Sequence, residues 1–356
     1  FPPPAVALTA AQSALTALDT HIYSADAGIL DLRTALCRQL AGYYQADVNP
    51  ESEMIITAGA NQAFILALLT LLEHGDEVVL PSPYFMNHEM AVRSVGAVPV
   101  EAPLNEAKGF GLSFDDIEPY LTPKTRAVVI VSPCNPTGAV YDPDELRHLA
   151  RALLARGIYP IADETYMQFV YDGARHYSLA SLPEWREGVL IVGSFSKSYA
   201  MTGWRVGYLI APEEFIKEAL KIQDTMLICA PVIAQQALLA AVSQAWDYPV
   251  RFNDELNTRR LYICDWLKNI PALHWQPTQG GFFAFVRVKG CTDSQELANH
   301  ILDKVHVVTI PGNLFGRAGE GFLRLSYGSV NLIDLEKACI RLERFFREYN
   351  PKNGHQ

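Results

Sequence analysis

The stretch SFSKSYAMTGWRVGY, residues 194–208, sets one lysine, Lys197, among small and hydroxyl-bearing side chains and follows it eight positions later with Arg205. Just before the lysine runs VLIVGSF (189–195), apolar on consecutive positions rather than alternating. A strand buried on both faces reads this way, as in a mainly parallel sheet. Lys197 is therefore expected at the carboxyl end of a buried strand, where open α/β sheets place their ligands.

The same signature recurs in EVVLPSP (77–83), AVVIVSP (127–133), IYPIAD (158–163) and GYLIAP (207–212). Helical patterns lie between several of these runs. NQAFILALLTLLEHG (61–75) closes on Gly75, and DPDELRHLARALLARG (142–157) has Pro143 near its start and Gly157 after its end. The expected architecture is an α/β layered domain. From about Arg251 the pattern changes to a long helix, a strand GFFAFVRV (281–288), a helix near 294–305, a strand GFLRLSYG (321–328) and a closing helix from Leu332. We expect a large domain of residues 20–250 and a smaller α+β domain of 251–356, with the Pro-rich start, residues 1–19, packed on the latter.

Composition narrows the function. At 356 residues the chain is long enough for two domains sharing a cleft. Its formal net charge is −10 and its 29 Lys and Arg residues are scattered, without the basic stripe that a phosphate backbone requires, so nucleic acid is not an expected partner. Apolar runs such as FILALLTLL (64–72) fall short of the roughly 20 residues that span a bilayer. Six cysteines without CxxC spacing argue against a disulfide framework or a zinc site, and point to a reduced, cytoplasmic protein. The chain starts at Phe1 with neither Met nor a signal-peptide pattern, so the numbering is expected to begin inside a longer natural sequence.

Further candidate groups sit at other strand ends. ITAGA (56–60) leads into a helix headed by Asn61, and its small residues let backbone N–H groups approach an anion at the positive helix end. PCNPTG (133–138) holds Asn135 between prolines, and ADETYMQF (162–169) puts Asp163 after a strand with Tyr166 three residues on. An amide, a carboxylate, a phenol, a lysine and an arginine at the strand ends of one sheet are the groups that a phosphorylated heteroaromatic aldehyde requires.

With these residues in view the chain resembles the class I/II aminotransferases, pyridoxal-phosphate enzymes of fold type I. The matching motifs run in family order from YSADAGILDLRTAL (23–36) through GAN (59–61), NPTG (135–138), DETY (163–166) and SKSYAMTGWRVGY (196–208) to FLRLSYG (322–328). The resemblance implies a mainly parallel, seven-stranded type of sheet sandwiched by helices, and a homodimer with shared active sites. It implies that amino acids and 2-oxo acids react by a ping-pong amino transfer on pyridoxal 5'-phosphate. Lys197 would attach to the cofactor aldehyde and carry the proton; Asp163 would face the pyridine nitrogen; Asn135 and Tyr166 would donate to the phenolic oxygen. The phosphate would be held by Ser194, Arg205 and the Ala60 and Asn61 backbone. Tyr23 matches a tyrosine that reaches the phosphate from the partner subunit, the alternative being a core aromatic in its own chain. Phe85, with Tyr84 in reserve, would cover the ring face. Arg324, beside Asn135, would take the substrate α-carboxylate. No metal is implied.

Two departures from the family pattern bear on substrate. The glycine loop that closes over substrate would lie before Phe1, and QDTMLICAPV (223–232) lacks the second arginine of the dicarboxylate-specific branch. A neutral or aromatic amino donor is expected. Rival outcomes on the same cofactor are a β carbon–sulfur lyase or a cyclising synthase, and the rival from another class is a non-catalytic regulator; Lys197 and Asp163 speak against the last.

Overall fold

The structure is a computed structural model that describes residues 1–349. Seven short strands form the larger sheet: β1 (Met54–Thr57), β2 (Glu77–Ser82), β3 (Val98–Pro103), β4 (Thr125–Val131), β5 (Tyr159–Asp163), β6 (Leu190–Ser194) and β7 (Gly207–Ile210). Their order is β1-β7-β6-β5-β4-β2-β3, and every strand runs parallel to its fellows except β7, which is antiparallel to both β1 and β6. Apart from the exposed Arg126 and the half-buried Tyr159 near their amino ends, the central strands are buried, as their apolar runs require.

Helices cover both faces. Pro143–Leu154 shows why they form where they do: the Asp142 side chain accepts the N–H groups of Asp144 and Glu145, Pro143 takes the first position, and Leu146, Leu149, Ala150 and Leu153 make one buried stripe. Parallel strands joined by such crossovers end on one edge. That edge carries Thr57, Ser82, Val131, Asp163 and Ser194, with Asp163 in register with Val131 on one side and Val192 on the other.

A second sheet is built from β8 (Leu273–Trp275), β9 (Phe283–Val288), β10 (Ile310–Pro311) and β11 (Phe322–Ser326), antiparallel in the order β10-β11-β9-β8. Its core joins Val286 and Leu323 to Ile263, Leu267, Ile301, Leu335 and Leu342 from three flanking helices. The helix Ala5–Ala14, expected on this smaller unit, lies instead on the helix Val232–Gln244. Ala7 and Ala11 join the core of the larger sheet with Ala234, Ala237 and Ala241, because two alanine faces allow the close approach that bulkier stripes would block. Only the first residues reach the smaller unit's long helix, where Phe1 packs on Phe252 with centroids 4.1 Å apart. Among the described residues no helix is long and apolar enough to cross a membrane.

Candidate active site

The carboxyl edge of the larger sheet opens into a cavity of about 210 Å³. Ala60, Asn61, Phe85, Asn135, Asp163, Tyr166, Ser194, Lys197 and Arg205, nine of the residues read from sequence, line it. Five strand ends and the loops after them deliver these groups, although up to 145 positions separate them along the chain (60 to 205).

One wall is an anion cradle. The helix Ala60–Leu71 begins at the cavity, so the N–H groups of its first turn have no intrahelical acceptor and its positive dipole end faces inward. Ser194, the last residue of β6, lies beside it, with its hydroxyl oxygen accepting the Ser196 N–H at 3.1 Å. Arg205 adopts a left-handed backbone conformation (φ 52°) and donates from Nη1 to the Thr202 carbonyl at 2.8 Å and from Nη2 to the Ala58 carbonyl at 3.3 Å. Gly59 makes room for it: at φ 81° a Cβ there would stand 2.5 Å from Arg205 Nη2. Backbone donors, a hydroxyl and a guanidinium around one space fit a dianionic phosphate.

Lys197 projects into the same cavity. Burial, followed by the nearby charges of Arg324 and Arg205, lowers its pKa below the ordinary lysine value, which favours the free amine that attacks carbonyls. Asp163, at the end of β5, is buried. Burial alone pushes its pKa up, but His88 Nε2 at 3.1 Å from Oδ2 and the Thr165 N–H at 3.0 Å from Oδ1 hold it, on balance, below the ordinary carboxylate range. The cavity therefore meets an ionised carboxylate.

Asn135 joins the two sheets. Its Oδ1 accepts from Arg324 Nη1 at 2.8 Å, which leaves its amide N–H groups for the cavity. Arg324, from the middle of β11, is held between the rings of Phe283 (4.6 Å) and Phe315 (5.1 Å), and its Nε is buried without an acceptor. Burial lowers its pKa, so the site favours a carboxylate that would restore the charge balance. Burial pushes the Tyr166 phenol well above its usual range and keeps it a hydroxyl donor, walled by Phe282 and Phe283.

Three residues read from sequence do not line this cavity: Arg324, which joins it through Asn135, and two tyrosines. Tyr84 is turned away: its hydroxyl donates to Glu89 at 3.0 Å and its N–H to the Phe315 carbonyl at 2.9 Å, so Phe85 alone of the pair faces the site. Tyr23 is 73% exposed on the surface of its own chain, which removes the reading of it as a core aromatic.

Comparison with known proteins gives the family. Residues 1–342 match the family described as aminotransferase class I and II. The chain belongs to that family. It is 36% identical over 332 residues to the aromatic-amino-acid aminotransferase 2 of Thermococcus litoralis, covering 92% of this chain and 85% of the relative. It is also 36% identical over 333 residues to an aspartate aminotransferase of Pyrococcus abyssi, with the same coverage. The crystal structure of an aromatic aminotransferase from Pyrococcus horikoshii OT3 superposes with a TM-score of 0.92 at 35% identity, covering 98% of this chain and 93% of that one.

This aminotransferase moves an amino group from an α-amino acid to a 2-oxo acid, and its family works with pyridoxal phosphate. The donor set fits that group, with an anion cradle whose Gly59 admits no side chain, a buried carboxylate and a lysine of lowered pKa. Sequence reasoning missed His88, Asn87, Thr165, Ser196 and Thr202. His88 was the one with a visible signal. It follows Phe85 by three positions, which on the helix Met86–Ser94 carries it back toward the same wall.

Proposed function

We propose that this aminotransferase binds pyridoxal 5'-phosphate in the described cavity and acts as a homodimer on neutral or aromatic amino donors. Bound there, the cofactor supplies an electron sink for the pair left when the substrate Cα–H bond breaks. The N–H groups of Ala60 and Asn61, the Ser194 hydroxyl and the Arg205 guanidinium would hold its phosphate. Phe85 would cover the ring face. Asp163 presents its carboxylate to the pyridine nitrogen and keeps a proton there, while Tyr166 and the Asn135 amide donate to the phenolic oxygen. Arg324 and Asn135 hold the substrate α-carboxylate.

Lys197 would be the covalent anchor for the cofactor aldehyde and, as a free amine, the base that holds and moves the substrate Cα proton. The meeting of Lys197, Asp163 and Asn135 in one cavity, with Arg324 bonded to Asn135 at 2.8 Å, carries the reading. Tyr23 then serves the phosphate site of the second subunit. Its exposure beside Leu15, Leu18 and Ile22, all more than half exposed, supports a self-association surface there. Six free cysteines support a reducing, cytoplasmic setting.

The test is a panel of amino acids mixed with the cofactor-loaded protein, with and without a 2-oxo acid acceptor. Stoichiometric formation of a new 2-oxo acid, sustained only with acceptor, is expected. Release of ammonia and pyruvate without acceptor would assign the lyase outcome instead.

A further inference from the structure

At the far edge of the larger sheet a carboxylate reaches across to the smaller unit. Glu101 lies on β3, opposite Leu80 of β2, and its side chain is 11% exposed. Its Oε1 accepts the Ser82 hydroxyl at 2.7 Å and the Ala318 N–H at 3.0 Å; Oε2 faces Arg317 Nε at 3.2 Å. Ser82 ends β2, whereas Ala318 belongs to the loop 312–319 that precedes β11. One oxygen thus ties the larger sheet to that loop.

The loop matters because of Phe315. This fully buried ring forms one side of the slot that holds Arg324, its centroid 5.1 Å from the guanidinium carbon, and it meets Phe285 edge-on. The Phe315 carbonyl accepts the Tyr84 N–H at 2.9 Å, so the loop is pinned to the larger sheet on both sides of Gly316. Gly316 itself has φ 101°, and a Cβ there would stand 2.5 Å from Ser82 Oγ and 2.8 Å from Glu101 Oε1. Nothing larger than glycine lets the loop close on the carboxylate.

We propose that Glu101 is a positioning residue for the α-carboxylate site: by fastening residues 316–318 it sets the Phe315 ring against which Arg324 is held. The inference rests on the reading of Arg324 as the carboxylate ligand. Glu101 does not touch substrate. Arg317 contributes little, since it is 92% exposed and its ion pair is screened by water; the backbone N–H and the Ser82 hydroxyl carry the effect.

The experiment uses cofactor-loaded enzyme and the best amino donor of the panel. Steady-state kinetics are combined with calorimetric titration by 3-phenylpropanoate and maleate, carboxylates with no amino group to react. For Glu101→Ala we expect KM and the Kd of whichever carboxylate binds the parent to rise about tenfold, with kcat and cofactor affinity within about threefold, since small misplacements of binding groups are costly. Glu101→Gln keeps an acceptor for Ala318 and Ser82 and restores the parent values; Arg317→Ala leaves them unchanged. Should Glu101→Ala fail to fold, Gly316→Ala, which wedges the loop away from the carboxylate, reproduces the rise in KM. A Glu101→Ala enzyme with parental KM and Kd, beside an Arg324→Ala enzyme that has lost carboxylate affinity, overturns the role of Glu101 and leaves Arg324 standing. If Arg324→Ala also binds carboxylates as the parent does, the reading of Arg324 falls and this inference with it. An Arg317→Ala defect equal to that of Glu101→Ala overturns the backbone mechanism.

Discussion

His88 Nε2 stands 3.1 Å from Asp163 Oδ2, with both side chains almost closed to solvent. The His88 ring lies on Phe64, centroids 4.4 Å apart, and edge-on to Phe85 at 5.4 Å. Its Nδ1 is buried with no acceptor, so the ring proton that matters is on Nε2, donated to the carboxylate. The same histidine thus supports both the carboxylate proposed for the ring nitrogen and the aromatic plate proposed for the ring face.

Removing that donor changes the sign of a pH dependence. In the parent, Asp163 has a folded pKa below its unfolded one, so its contribution to stability is complete above about pH 4 and is lost as pH falls through the lower folded value. In His88→Leu burial dominates, the folded pKa rises above the unfolded one, and the contribution is lost as pH rises. For cofactor-free protein we expect the variant's penalty to reach about 1.5–3 kcal/mol at pH 7 and to shrink toward pH 3, measured by urea unfolding. A penalty independent of pH would exclude the mechanism.

Borohydride treatment of the cofactor-loaded enzyme should fix the cofactor mass on the peptide carrying Lys197. The motive is the lowered lysine pKa beside Arg324 and Arg205. Mass spectrometry of Lys197→Ala should find no such adduct; an adduct of equal yield elsewhere would move the anchor.

Asp163→Ala should fold and bind cofactor but lose more than about a hundredfold in kcat/KM, the scale of a preorganised charge. Rates within a few-fold of the parent would remove Asp163 from the chemistry.

Gly59→Ala places a Cβ 2.5 Å from Arg205 Nη2 at a backbone angle that alanine adopts only with strain. Cofactor affinity, followed by fluorescence titration, should drop by about tenfold or more, the equivalent of 1.4 kcal/mol. Free phosphate should lose its protection of the apoenzyme in parallel. An unchanged cofactor Kd would show that Arg205 is not the phosphate ligand.

Arg324→Ala should weaken every amino donor alike, by about 2–5 kcal/mol in kcat/KM, because the buried carboxylate loses its partner whatever the side chain. In the parent, aspartate should trail phenylalanine, methionine and glutamine, since segment 223–232 offers no arginine to a second carboxylate. A clear preference for aspartate would overturn the donor assignment.

Much of this site could be read along the chain. Lys197, Asp163, Asn135 and Asn61 each follow a run of consecutive apolar residues, and parallel strands joined by helices must bring such ends to one edge. That local logic also delimited the helix at Pro143, where cap, proline and apolar stripe agree. It did not report strand direction. β7 carries the same apolar run as its neighbours, yet lies antiparallel, because direction follows from the length and path of its connection to β6 and not from its composition.

What remained hidden were the meetings between distant residues. Nothing in PYFMNH names the carboxylate that His88 reaches 75 positions away, and nothing in NPTG or FLRLSYG states that Asn135 and Arg324 join across 189. Glu101 reads as an ordinary strand residue until the loop 312–319 closes on it. The alanine face of residues 5–14 likewise does not choose between two units that both offer apolar surface. Residue type and periodicity are local, and they settle which side chains must be buried and where a strand must end. Partner choice is collective: it depends on which complementary surfaces and unsatisfied donors packing brings within about 3 Å, and only the assembled fold decides that.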